Sequence, residues 1–97
     1  MSRDFSLYVE DVLESCRRIA QYTGGMTFVT FVKDNMVYDA VLRNIEIIGE
    51  AVKQIPAEIQ NQHPEIDWRR IAGMRDIVAH HYFSIYGQLP PAKAGGL

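Results

Sequence analysis

Between Asp34 and Pro56 the chain carries a helix with more apolar surface than one neighbour can cover. Val37, Val41, Ile45, Ile48, Val52 and Ile55 recur at three- and four-residue steps and form one stripe. Met36, Ala40, Ile47 and Ala51 form a second stripe beside it. A helix with so wide an apolar arc needs cover on two sides. In a domain this small a second copy of the chain is the expected cover on the second side. The alternative is a helix in the middle of its own bundle.

The flanking segments are helical too. Phe5, Tyr8, Val9, Val12, Cys16, Ile19 and Ala20 fall in line and predict an amphipathic helix of about five turns, with Cys16 on its core face. Gly24 and Gly25 end it. Thr27 suits the N-cap of a short helix holding Phe28, Phe31 and Val32. Asp34 or Asn35 then opens the long helix, which runs to about Ile55. Pro56 suits the first turn of a short helical piece, and His63-Pro64 breaks the chain again. From Asp67 a last helix carries Trp68, Ile71, Val78 and Tyr82 inward. No strand-like alternation, internal repeat or linker interrupts this pattern. The expectation is an all-α, small up-and-down helical bundle.

Composition narrows the setting. At 97 residues and 47% apolar, the chain makes one small domain. Such a domain buries only about 60–65% of its unfolded surface. No apolar run approaches the ~18–20 residues of a membrane span, and no secretory leader is recognisable. The single cysteine, Cys16, forms no internal disulfide, which fits a reducing cytoplasm. A net charge of −2 argues against broad electrostatic capture of nucleic acid. If RNA is bound, the contact must be local, with Arg75, Arg69 and Arg70 making a small basic spot.

The stretch from Arg75 to Tyr82 concentrates chemistry in eight residues: Arg75, Asp76, Ile77, Val78, Ala79, His80, His81 and Tyr82. Arginine binds phosphate with two hydrogen bonds, and histidine exchanges a proton near neutral pH. Tyrosine adds a hydroxyl donor. Together they suit metal-free phosphodiester cleavage. On a regular helix Arg75 and Tyr82 fall nearly in line, whereas His80 lies about 140° from Arg75. Asp76 precedes His80 by one turn, where a carboxylate can fix its tautomer or raise its pKa. One straight helix cannot gather Arg75, His80 and Tyr82 onto one spot. Either the helix ends near His80, or a second copy of the chain supplies the missing group.

The pattern R-x-x-x-x-H-x-Y, formed by Arg75, His80 and Tyr82, resembles the motif of the HepT-like family within the HEPN superfamily. The segments Tyr38 to Ala51 and Trp68 to His80 resemble that family's characteristic stretches in order and spacing. The resemblance covers roughly residues 1–83. It implies a HEPN-like bundle, a homodimer with paired motifs, and a ribonuclease toxin of a toxin–antitoxin system. It also implies a minimal nucleotidyltransferase as antitoxin, which attaches AMP to the motif tyrosine, here Tyr82. No cofactor is implied.

Residues 84–97 depart from the family. Two prolines and three glycines in these fourteen residues rule out an ordinary amphipathic helix there. The relatives continue with a further helix that closes the bundle. Its loss or alteration, as after a frameshift or truncation, leaves an apolar groove for a partner chain to fill.

RNA cleavage without a metal needs a base for the 2′-hydroxyl proton, cationic donors for the phosphorane and an acid for the leaving 5′-oxygen. His80 suits the acid–base role, Arg75 the phosphate, and Tyr82 phosphate positioning or base stacking. Expected products are a 2′,3′-cyclic phosphate and a 5′-hydroxyl. The alternative function is a non-catalytic helical adaptor, bound and modified on Tyr82 by the nucleotidyltransferase. The purely structural alternative has Arg75 paired with a carboxylate, His80 capping a helix end and Tyr82 in the core.

The remaining constellations carry less chemistry. His80 and His81, with distant His63, lack metal-ligand spacing, so no metal site is expected. Arg17-Arg18 reads as a solvated face, as do Glu46/Glu50 and Asp11/Glu14. Gly24-Gly25 is a turn and not a phosphate cradle.

Overall fold

The structure, a computed structural model, describes residues 4–87, apart from the side chains of Tyr82, Ile85 and Tyr86. The described residues form six helices and no strand: α1 (Phe5–Thr23), α2 (Phe28–Lys33), α3 (Asn35–Lys53), α4 (Ala57–Asn61), α5 (Trp68–Ala72) and α6 (Met74–Tyr86). The all-α fold expected from the periodicity is the one formed.

Side-chain caps set most of the helix starts. The Asp4 carboxylate accepts from the Ser6 amide, Asp34 from Val37, and Asp67 from Arg70. Thr27 and Thr30 exchange bonds in a capping box at the start of α2. Gly25 turns the chain after α1 at φ 81°, a conformation that favours glycine.

The long helix α3 sits in the centre. α1 runs along one side of it, while α5, α6 and α2 pack on the other sides. Its buried residues span a wide arc, from Asn44 and Ala51 round to Leu42 and Gly49. The first stripe is therefore buried within one chain apart from half-buried Val37, whereas of the second only Ala51 is buried and Ala40 and Ile47 are half-buried. Met36 at the edge of the second stripe stays 78% exposed. Tyr38 and Val32 are fully buried at the heart of a cluster with Phe31, Val41, Leu42 and Ile45.

Two expectations need correction. Cys16 is exposed, and the buried residue on α1 is its neighbour Ser15. Adjacent helical positions differ by about 100°, so the contact line with α3 passes through the smaller side chain. The last helix is also not continuous from Asp67. It breaks at Gly73, which closes α5 by donating to Arg69 O and then starts α6. Trp68, Ile71 and Val78 are half-buried, and Val78 packs against the core cluster as expected. The side chain of Tyr82, also expected inward, lies outside the described residues.

The break at Gly73 accompanies a close approach. A Cβ on buried Gly49 would stand 3.3 Å from the carbonyl oxygen of Ala72, the last residue of α5. Glycine on α3 thus lets the end of α5 come near enough to start α6 beside α3. An aromatic series then ties α6 down, with His81 edge-on to Phe28 at 5.7 Å, Phe28 against Phe31 at 6.0 Å, and Phe31 against Tyr38 at 5.2 Å. The Tyr38 hydroxyl closes the series by donating to Val78 O on α6 (3.2 Å).

α6 continues three residues past the boundary expected at 83, through Tyr86, and ends at Gly87 in the left-handed conformation (φ 70°). Gly87 N–H donates back to Phe83 O, a common helix stop. The rest of the expected non-helical tail, residues 88–97, lies outside the described residues. No helix among the described residues is long and apolar enough to cross a membrane.

Candidate functional site

Arg75 sits in the first turn of α6 and reaches across to α3. Its Nε–H donates to Glu46 Oε2 at 3.2 Å, and both side chains are partly exposed. The pair lines a cleft of about 380 Å³ between α3, α5 and α6, together with Arg43, Glu50, Lys53 and Asp76. Glu46 engages only Nε, which leaves the outer guanidinium nitrogens of this cleft-lining residue without a side-chain acceptor among the described residues.

The charges of this cleft are unevenly partnered. Glu46 takes Arg75, and Glu50 takes Lys53 at a loose 3.5 Å. Arg43, one turn before Glu46 on α3, has no ion-pair partner among the described residues. Spacing alone marked Glu46 and Glu50 as surface charge and passed over Arg43. No sequence signal joins positions 29 apart, which is the Glu46–Arg75 separation. Glu46 remains a partly exposed charge, and it is the carboxylate partner that the purely structural alternative expects for Arg75.

His80 is placed elsewhere. α6 is unbroken from Met74 to Tyr86, so the option of a helix ending near His80 is closed. Five positions of a regular helix put His80 about 140° around and about 7.5 Å along from Arg75. Its ring is exposed and meets His81 edge-on at 6.4 Å. No hydrogen bond joins it to Asp76 among the described residues. Asp76 instead lies in the first turn of α6, where a carboxylate complements the helix dipole, and lines the Arg75 cleft.

Tyr82 follows Arg75 by seven positions on the same helix, so their Cα positions share an edge of α6. Its side chain lies outside the described residues. Arg69 and Arg70 are exposed on α5, upstream of the Gly73 break. Arg69 lines a second cleft with Trp68, while Arg70 has no side-chain partner among the described residues. Arg17 and Arg18 both pair with Glu14, the solvated face expected of them. His81 packs on Phe28, and His63 Nδ1 lies 3.3 Å from Glu65 Oε2.

One chain thus keeps Arg75 and His80 apart. Arg75 lies on the cleft beside α3, where three cations face three carboxylates, and His80 lies on another face of α6.

Comparison with known proteins gives one consistent result. The family model described as "Ribonuclease HepT-like" matches residues 12–87, which include Arg75 and His80. The chain is 41% identical over 83 residues to a Methanocaldococcus jannaschii protein named "Putative RNase", covering 86% of this chain and 69% of that one. It is 42% identical over 78 residues to a "Putative RNase" of Caldanaerobacter subterraneus, covering 80% and 70%. A Thermococcus cleftensis protein named "Probable ribonuclease HepT" is 42% identical over 85 residues, covering 88% and 77%. No solved structure matches the chain significantly.

Proposed function

The chain belongs to the HepT-like ribonuclease family, and from that premise we propose that it is a metal-independent endoribonuclease whose site is completed by a second copy of the chain. The observation that carries this reading is the unbroken course of α6. Arg75 and His80 occupy different faces of one helix, so a site using both needs a second α6 to bring His80 opposite Arg75. A two-fold axis between two α6 helices supplies two such sites at once. Exposed apolar side chains near this face, Phe28, Val29 and Phe83, suit such a contact.

In the proposed reaction the Arg75 guanidinium binds the scissile phosphate by its outer N–H groups while Glu46 holds Nε. A base removes the 2′-hydroxyl proton, and the 2′-oxygen attacks phosphorus. The bond to the 5′-oxygen breaks, and that oxygen takes up a proton. The products are a 2′,3′-cyclic phosphate and a 5′-hydroxyl. His80 serves as the acid–base group, because an imidazole both accepts and donates protons near neutral pH. Arg75 stabilises the charge that grows on the phosphorane oxygens. Arg69 and Arg70 extend the basic surface, and Asp76 supports the helix start beside Arg75.

The same reading makes the protein the cytoplasmic toxin of a toxin–antitoxin module, neutralised by a minimal nucleotidyltransferase that attaches AMP to Tyr82. The position of Tyr82 supports this, because it shares an edge of α6 with Arg75. A phosphate-linked nucleotide there would offer Arg75 a negative charge in place of substrate phosphate.

The test is cleavage of RNA in EDTA by the wild type, by Arg75→Ala and by His80→Ala, singly and mixed. Each variant alone should be inactive with its helicity intact. Mixed in equal amounts after unfolding and refolding, they should regain about a quarter of wild-type activity, because half the dimers are mixed and each holds one intact site of two. Full activity in either single variant removes the assignment. Inactive variants that fail to complement place both groups in one chain.

A further inference from the structure

Beside the Arg75 cleft lies a second, less polar one of about 350 Å³, which Trp68 and Arg69 line with Gln60 and Val52. Lys53 and Ala72 belong to both clefts, so the two adjoin across the α3–α5 contact. We infer that Trp68 is a stacking platform for an unpaired base of single-stranded RNA, flanked by Lys53 and Arg69 as phosphate contacts and continuous with the Arg75 site. This rests on the nuclease reading and names the form of RNA that the site accepts.

The indole is held for such a role. Its N–H donates to Gln60 O (3.2 Å) and His63 O (3.1 Å), which pins the ring's edge to the turn after α4. The ring remains half-buried and contributes to the cleft wall. A tryptophan needed only to seal that turn would not have to border a cleft with two cations beside it. Those cations are available: Lys53 holds Glu50 only loosely, with both side chains more than half exposed, and Arg69 has no side-chain partner among the described residues. Alternation of cations with an aromatic face is what a single strand requires, since its backbone needs charge and its bases need a flat apolar surface. A duplex would not fit, because its bases are already stacked on one another. The net charge of −2 is compatible with this, since Arg43, Arg75, Lys53 and Arg69 along one groove outnumber its carboxylates, Glu46, Glu50 and Asp76, by one.

The chain has a single tryptophan, so its fluorescence reports on this residue alone. The probe is a short single-stranded oligonucleotide with 2′-O-methyl groups, which lacks the attacking hydroxyl and is not cleaved. Titration into the wild-type protein should quench the fluorescence saturably, with the midpoint given by anisotropy of a labelled oligonucleotide. The same sequence as a duplex should leave the fluorescence unchanged. Lys53→Ala and Arg69→Ala should weaken binding while keeping the full quench at saturation. Trp68→Ala should weaken it about 5- to 140-fold, the range that ~1–3 kcal/mol of stacking gives at 1.4 kcal/mol per tenfold. If that variant misfolds, the wild-type quench and the two cation variants still decide. An oligonucleotide that binds by anisotropy without altering the fluorescence overturns the platform and leaves the nuclease reading standing. Folded protein that neither binds nor cleaves RNA overturns both.

Discussion

Replacing Glu46 by glutamine separates what the Glu46–Arg75 contact does for the fold from what it does for the site. The two side chains are 36% and 52% exposed, so the ion pair is largely solvated. Pairs of this kind contribute about 0.2–1 kcal/mol to stability. Glutamine keeps an oxygen acceptor for Arg75 Nε–H at nearly the same place, so only part of that is lost. For a domain of this size 1 kcal/mol corresponds to roughly 4–8 °C in Tm, and the expected shift is below that. The site should respond much more. With the charge removed the hold on the guanidinium is weaker, and a displacement of about 1 Å at a reacting group costs on the order of 100-fold. We expect kcat for RNA cleavage to fall about 10- to 100-fold. KM should stay level or decrease, because loss of a carboxylate leaves the cleft more cationic. Thermal melting by circular dichroism, beside steady-state cleavage of a short RNA, checks both halves. Unchanged kcat would refute the orienting role. A Tm loss well beyond 8 °C, with activity lost in proportion to unfolding, would make the pair structural.

Two further outcomes are expected. Gly49→Val should destabilise by about 1–3 kcal/mol, because its side chain meets the α5 backbone where a Cβ alone stands 3.3 Å from Ala72 O. It should also lower cleavage beyond the effect on stability, by moving α6 and Arg75 away from Glu46; a melting curve with wild-type Tm would refute the close approach. At the other end of the chain, the hydrogen bond from the Ser6 amide, with help from the Ser6 side chain, holds the Asp4 carboxyl below its ordinary value of 3.8. A depressed carboxylate stabilises the start of α1 above that value and loses its effect as pH falls through the folded pKa. The Ser6 amide resonance should therefore titrate with a midpoint below 3.8 in wild type and show no such transition in Asp4→Ala.

The local signals in this chain were legible because they act over a few residues. A threonine accepting from the amide three residues on, an aspartate before an apolar run and a pair of glycines each satisfy or release backbone groups within one turn. Periodicity likewise announced α3 and its double stripe before any neighbour was known. The spacing of Arg75 and His80 was informative in the same way, since five helical positions already fix about 140° between them.

The amino-acid sequence by itself determined the first four helices in order, the caps at Thr27 and Asp34 and the separation of Arg75 from His80, because each depends on the geometry of one helix. Tertiary structure alone decided that the main apolar stripe of α3 is buried within the chain, that the last helix breaks at Gly73, that α1 buries Ser15 in place of Cys16, and that Glu46 meets Arg75. These outcomes depend on how helices distant in the chain rotate and approach one another. Such rotations are set by packing volumes at a few contacts, of which Gly49 against Ala72 is the tightest glycine approach on α3. A helix signal fixes which residues share a face. It does not say which face the neighbour will choose.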